Sequence, residues 1–216
     1  MREHDALSTC HNPLVVGVTG AAGSGKSTVT GMLAALGAQT VDADAVVRWA
    51  YRDPGLLQKI ARRFGVDAVE PDGSGVCRER LAEIVFPDPK ARADLEAMVH
   101  PAVLAQMSQT IEEYRKDPCR APMLALEIPL LYETGADAMV DAVIVAMAPP
   151  DVCARRLEQR GWSPERIRNV QASQMPVSEK AARADYIIDA SGSLDDAARQ
   201  VADLWNRLTS SVAHVE

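Results

Sequence analysis

A chain of 216 residues, 47% hydrophobic and 25% charged, is long enough to bury a sizeable core and suits one compact α/β domain with insertions. Its formal net charge of −7 excludes generic nucleic-acid binding, because phosphate neutralisation dominates that affinity; any polyanion must be met by a local cationic pocket. Cys10, Cys77, Cys119 and Cys153 form no C-x-x-C pair and read as reduced thiols, residues 1–13 hold no secretion signal, and no unbroken apolar run could span a bilayer, so a cytoplasmic protein without membrane attachment is expected.

The first 13 residues and the last eight are expected to be loose ends. The first predicted strand, about 14–19, is the β-branched run from Leu14 to Val18. It feeds directly into Gly20-Ala21-Ala22-Gly23-Ser24-Gly25-Lys26-Ser27-Thr28, a G-x-x-x-x-G-K-S string. A helical pattern follows through Val29, Met32, Leu33 and Leu36, and Gly37 falls where a helix-ending glycine belongs. In that context the glycines let several backbone N–H groups point at one oxyanion, and the helix adds its positive N-terminal end. Gly20, Gly23, Ser24, Gly25, Lys26, Ser27 and Thr28 are therefore the candidate ATP-binding residues. Lys26 supplies a point charge for the β- and γ-phosphates, and the Ser27 hydroxyl is a candidate Mg²⁺ ligand.

A second strand, about 40–43, ends in Asp42-Ala43-Asp44. Strand alternation points both carboxylates to one face at the sheet's carboxyl edge. Phosphoryl transfer to a hydroxyl needs a carboxylate there, and Asp44, nearer the strand's end, is the candidate base; Asp42 is left to backbone or to metal-bound water. The bland alternative for Asp44 is an exposed turn carboxylate.

No strand signal follows until about residue 123. The stretch is helical instead, with apolar faces at Leu56, Leu57 and Ile60, at Leu81, Ile84 and Val85, and at Leu104, Met107, Ile111 and Tyr114. Turn signals separate them, Asp88-Pro89 reads as a helix start, and His100-Pro101 reads as another. Arg78, after the Asp72-Gly73-Ser74-Gly75 turn, and His100 are candidate ligand contacts that, taken alone, read first as turn or capping features.

Strands are predicted at about 123–128, 141–147 and 186–189; near-continuous apolarity in all five suits a parallel sheet covered on both faces. Glu127 lies where such folds keep a carboxylate for Mg²⁺, or it bonds near the phosphate loop. Glu133, after Pro129-Leu130-Leu131, is a candidate ligand contact at the open edge that, taken alone, reads first as a turn or capping feature. Between strands four and five, Asp151 is expected to cap a helix to Arg160 that Gly161 ends, and Ser163-Pro164-Glu165 starts another. Arg156 and Arg160 share a face there and can neutralise a phosphoryl group in transfer; pairing with Glu158 or Glu165 on a solvated surface is the competing reading. Leu194 to Leu208 carries an apolar stripe for a last helix on the sheet.

Together these pieces resemble the dephospho-CoA kinase family over about residues 14–208. The resemblance rests on the phosphate loop, Asp42-Ala43-Asp44, Phe64-Gly65, Asp72-Gly73, Arg78, Val85-Phe86, Leu95-Glu96, His100-Pro101, Pro129-Leu130-Leu131-Tyr132-Glu133, Arg156 to Arg160, Gln174, Lys180 and Ala184-Asp185-Tyr186. It implies an α/β fold: a five-stranded parallel-sheet P-loop kinase core (about 14–50, 120–150 and 185–208), a helical CoA-binding insertion (about 51–119) and a helical lid (about 151–184), with 1–13 as a flexible extension. It implies transfer of the ATP γ-phosphate, with Mg²⁺, to the ribose 3′-hydroxyl of dephospho-CoA, the last step of coenzyme A synthesis. Dephospho-CoA and ATP are then the partners, with no nucleic acid and no membrane. Asp44 matches the family's base, Arg156 and Arg160 its lid arginines, and Arg78 and His100 its substrate contacts. The chain differs from the family pattern at Ala21-Ala22, where Gly-Ile is usual, at Cys77, where an acid is usual, and after Asp189, where an Asn is common. A nucleoside or nucleotide kinase on the same scaffold is the rival reading. A regulatory GTPase is disfavoured, because the chain has no Asn-Lys-x-Asp guanine reader.

Overall fold

The computed structural model describes residues 13–117 and 119–210. Five strands, β1 (Leu14–Thr19), β2 (Gln39–Asp42), β3 (Met123–Glu127), β4 (Ala142–Met147) and β5 (Tyr186–Asp189), form one sheet in the order β2-β3-β1-β4-β5. The pairs β1–β3, β1–β4 and β4–β5 are parallel, with Val16 opposite both Ala125 and Ala142. The apolar strands predicted the reason: β1, β3 and β4 are buried almost end to end, as strands covered on both faces must be. Carboxylates close the amides where strands enter the sheet. Asp141 Oδ2 accepts from Val15 N–H and Asp185 Oδ2 from Val143 N–H, each at 2.8 Å.

Contacts divide the chain into two compact units, one built from residues up to Thr40 and from Glu113 onward, the other from Val41–Glu112. In the first, α1 (Lys26–Ala35) and α9 (Leu194–Ser210) pack Val29, Leu33, Val201 and Leu204 onto Val16, Val18, Ile144 and Ile188. Each such buried aliphatic side chain contributes about 1.5–3 kcal/mol. Gly37 follows α1 at φ +110°, as expected of a residue that ends a helix. The helices α6 (Pro150–Gln159), α7 (Pro164–Ala172) and α8 (Val177–Arg183) lie between β4 and β5.

The second unit holds α2 (Ala43–Ala50), α3 (Pro54–Phe64), α4 (Arg78–Val85) and most of α5 (Pro89–Lys116). Leu57, Ile60, Phe64, Leu81, Leu95 and Val99 form its core. Within this helical stretch Val69 and Val76 make one antiparallel bridge, which the sequence did not signal.

Four local expectations are corrected. β2 ends at Asp42, whose Oδ1 accepts from Asp44 N–H at 2.9 Å; Asp42 caps α2 and Asp44 sits in its first turn, so strand alternation does not govern the pair. His100-Pro101 starts no helix, because α5 runs through Pro101 without a break. Asp151 is not a cap: α6 begins at Pro150, at the one helical position where a missing N–H costs nothing. The expected loose ends lie outside the described residues except at residue 13 and at Thr209 and Ser210, which are helical in α9. Cys77, Cys119 and Cys153 are free thiols, while Cys10 lies outside the described residues. Among the described residues no helix is long and apolar enough to cross a membrane.

Candidate active site

The phosphate loop leaves β1, a strand paired on both sides, and opens where the parallel strands end. Two glycines there are steric requirements. A Cβ on Gly20 would lie 2.3 Å from Ala146 O, and one on Gly23 would lie 2.6 Å from Cys153 O, so the loop is seated directly on backbone of β4 and α6. Lys26 is 8% exposed, and its Nζ donates to Ala21 O at 2.9 Å and to Gly20 O at 3.3 Å. The charge is thereby held within the curl of the loop that a phosphate tail would occupy. Ser24 Oγ is buried with no hydrogen-bond partner among the described residues, an exception of the kind that concentrates at functional sites.

Ser27 Oγ donates to Glu127 Oε1 at 2.8 Å. This pair joins the first turn of α1 to the end of β3. A hydroxyl beside a carboxylate fits Mg²⁺, which takes one or two protein oxygens and fills its other positions with phosphate and water oxygens. The residues present therefore suit that ion.

Arg156 and Arg160 do share a face. Both line a 230 Å³ cleft with Gly23, Gly25, Thr28 and Ala190. The Arg156 guanidinium is already seated, with Nη2 donating to Ala190 O at 2.7 Å and Nη1 to Gly23 O at 3.4 Å. Neither arginine pairs with Glu158 or Glu165 among the described residues. The loop after β5 lacks the family's Asn but is braced by Arg156 on Ala190 O and by Gln200, which takes Asp189 N–H at 3.0 Å and gives to Asp189 O at 2.9 Å. Burial holds the Cys153 thiol above its usual range, so this α6 cysteine stays protonated and inert beside the loop.

In the second unit, Asp44, Arg48, Tyr51 and Arg78 line a cleft of about 350 Å³ floored by Val47, Leu81 and Val85. Asp44 is exposed, and its carboxylate has no hydrogen-bond or ion-pair partner among the described residues. Arg48 reaches Asp42 at 3.6 Å. Burial raises the Tyr51 phenol, with the Arg78 charge opposing, so the hydroxyl remains a donor. Cys77 stands just before α4 at the place of the usual acid, and Arg78 opens that helix toward the cleft. His100 is half-buried within α5 and does not line the cleft.

Sequence reasoning offered Pro129 and Glu133 as turn features or as ligand contacts at the open edge, and gave Lys180 no role. Both receive the buried amine of Lys180, Pro129 O at 2.7 Å and Glu133 Oε1 at 2.9 Å. Gln174 Oε1, likewise unassigned, accepts from Ala22 N–H at 3.1 Å. The only signal for Gln174 and Lys180 was their presence among the pieces of the family resemblance.

Comparison with known proteins gives the family and the fold. Residues 14–196 match the family model described as dephospho-CoA kinase. A dephospho-CoA kinase of Symbiobacterium thermophilum is 45% identical over 194 residues, spanning 88% of this chain and 80% of the relative. Among solved structures, a protein of Thermus thermophilus superposes with TM-score 0.74 at 33% identity, covering 91% of this chain and 98% of the other. The dephospho-CoA kinase of Campylobacter jejuni superposes with TM-score 0.70 at 27% identity, covering 92% and 98%.

Proposed function

The chain belongs to the dephospho-CoA kinase family, and we propose that it transfers the γ-phosphoryl group of ATP to the ribose 3′-hydroxyl of dephospho-CoA, giving coenzyme A and ADP as the last step of coenzyme A synthesis. The observation that carries the acceptor assignment is the cleft of the second unit. It sets an unpartnered carboxylate, Asp44, beside two guanidinium groups, Arg48 and Arg78, on an apolar floor. An acceptor bearing phosphates, an arm of alternating methylene and amide groups, and a ribose hydroxyl suits that mixed lining.

The loop amides and Lys26 bind and orient the phosphates of ATP. Ser27 and Glu127 are the residues that would hold Mg²⁺. Mg²⁺ held there would supply positive charge that offsets the charge of the phosphates. Asp44 orients the 3′-hydroxyl and accepts its proton as the new O–P bond forms and the bond to the β-phosphate oxygen of ADP breaks. Arg156 and Arg160 stabilise the charge on the phosphoryl group in transfer. Residues about 14–50, 120–150 and 185–208 serve as the nucleotide core, about 51–119 as the acceptor-binding insertion, and about 151–184 as the lid that excludes water. Arg78 and His100, both in the insertion, serve as acceptor contacts. The substrates and the reduced thiols suit the cytoplasm.

Arg160→Ala is expected to lower kcat at least about tenfold while changing ATP affinity little, because its guanidinium is asked to act only on developing charge. Steady-state kinetics checks this, and a change confined to KM would contradict the placement. The function is tested by a coupled ADP-release assay across candidate acceptors. Turnover with dephospho-CoA well above that with nucleosides or nucleoside monophosphates is expected. The reverse order would replace this reading with a nucleotide kinase on the same scaffold.

A further inference from the structure

The segment from the end of α7 through α8 carries side chains that phosphoryl transfer leaves unused. We propose that Gln174 and Lys180 are positioning residues for the phosphate loop: Gln174 holds the loop's Ala22 amide, and Lys180 locks the segment carrying Gln174 against the exit of β3. The inference rests on the reading that this loop binds ATP.

A loop built on glycines does not hold its own shape. Gly20, Gly23 and Gly25 all have positive φ, and the one backbone hydrogen bond within the curl runs from Ser24 N–H to Ala21 O at 3.1 Å. Residue 22 lies in the middle and is gripped twice. Its methyl packs on Leu157 of α6 and Ile167 of α7. Its N–H is taken by Gln174 Oε1 at 3.1 Å, across 152 residues of sequence.

Gln174 in turn is held in place through Lys180. The Lys180 side chain is 0% exposed. Its amine donates to Pro129 O at 2.7 Å and meets both Glu133 oxygens, at 2.9 Å and 3.2 Å. Two hydrogen bonds, to Pro129 O and Glu133 Oε2, and the ion pair with Glu133 meet the condition under which an ammonium can be buried. Such a pair adds little net stability and instead fixes one arrangement of the elements it joins. Glu133 Oε1 also accepts from Met175 N–H at 2.8 Å, one residue from Gln174. Pro129 O accepts from Thr19 Oγ1 at 3.2 Å, where β1 passes into the loop. Arg183 adds a second tie: its Nη2 donates to Asp137 at 3.1 Å, and its guanidinium lies 4.1 Å over the Tyr132 ring. α8 is thereby docked along 129–137, and the two ends of the network meet the loop at Thr19 and at Ala22.

The test is isothermal titration with ADP and AMP. A cradle of amides distinguishes the two by the β-phosphate, whereas the adenosine moiety is indifferent to the loop's exact shape. The unmodified chain is expected to prefer ADP. In Gln174→Met, which keeps bulk but removes the acceptor, the ADP-to-AMP affinity ratio should fall about tenfold with AMP affinity unchanged. The double variant Lys180→Met, Glu133→Gln, which removes both charges together, should move the ratio the same way and decides the matter where Gln174→Met does not fold. A loss of thermal stability with the ratio intact in the folded variants would overturn the inference and reduce these residues to scaffold. No ADP preference in the unmodified chain would bring down the nucleotide reading and this inference together.

Discussion

Lys26→Ala should lower kcat about 10²- to 10³-fold with dephospho-CoA as acceptor, the range seen when one preorganised donor is removed from developing charge. The side chain is buried and bonded to two loop carbonyls, so a structural explanation competes. Magnitudes separate the two. Each hydrogen bond that the Lys26 ammonium gives to a carbonyl contributes about 1.5–3 kcal/mol, a loss that a Tm shift reads directly. A variant that melts well above the assay temperature yet turns over about a hundredfold more slowly owes that loss to chemistry. Kinetics alongside thermal unfolding is the check. Full turnover and unchanged ATP affinity in this variant would remove the phosphate-loop reading.

Asp44→Asn should lower kcat about 10²- to 10⁴-fold, the contribution of a positioned general base, with ATP affinity nearly unchanged. Here stability is almost out of play. The carboxylate is exposed and has no partner among the described residues, and the backbone N–H that Asp42 accepts is retained in Asn. The remaining structural loss is the interaction of a negative charge with the first turn of α2, about 0.3–1 kcal/mol. A large rate effect with unchanged unfolding would therefore belong to chemistry. Equilibrium binding of ATP together with single-turnover rates measures it, and normal turnover would contradict the role.

What could be read from sequence divides along the chain distance of each contact. The phosphate loop was legible because strand, glycine string, Lys26, Ser27 and the following helix are contiguous, and the α/β class followed from five apolar runs. Glu127 was expected near the phosphate loop from its place at the end of the third strand, and its bond to Ser27 Oγ bears that out across 100 residues; the pairing of Gln174 with Ala22 joins residues 152 apart, and no local spacing encodes it. Asp42-Ala43-Asp44 misled because Asp serves as well to cap a helix as to end a strand, and a helix start overrides strand alternation. His100-Pro101 misled because a proline at a helix start and one inside a helix look alike locally. The interior proline is tolerated at roughly 3 kcal/mol because α5 buries Leu95 and Val99 before it and Met107, Ile111 and Tyr114 after it. Arg156 was placed on the right face, but its seat on Gly23 O and Ala190 O depends on a loop that only the fold brings near.

The central claim is a phosphoryl transfer to one particular oxygen of one particular acceptor. Phosphorus NMR of the product formed from ATP and dephospho-CoA tests it most directly. The account predicts a new phosphomonoester on the ribose 3′-oxygen, formed in step with ADP. ADP appearing with inorganic phosphate and an unaltered acceptor, or a phosphate placed at any other oxygen, would contradict it.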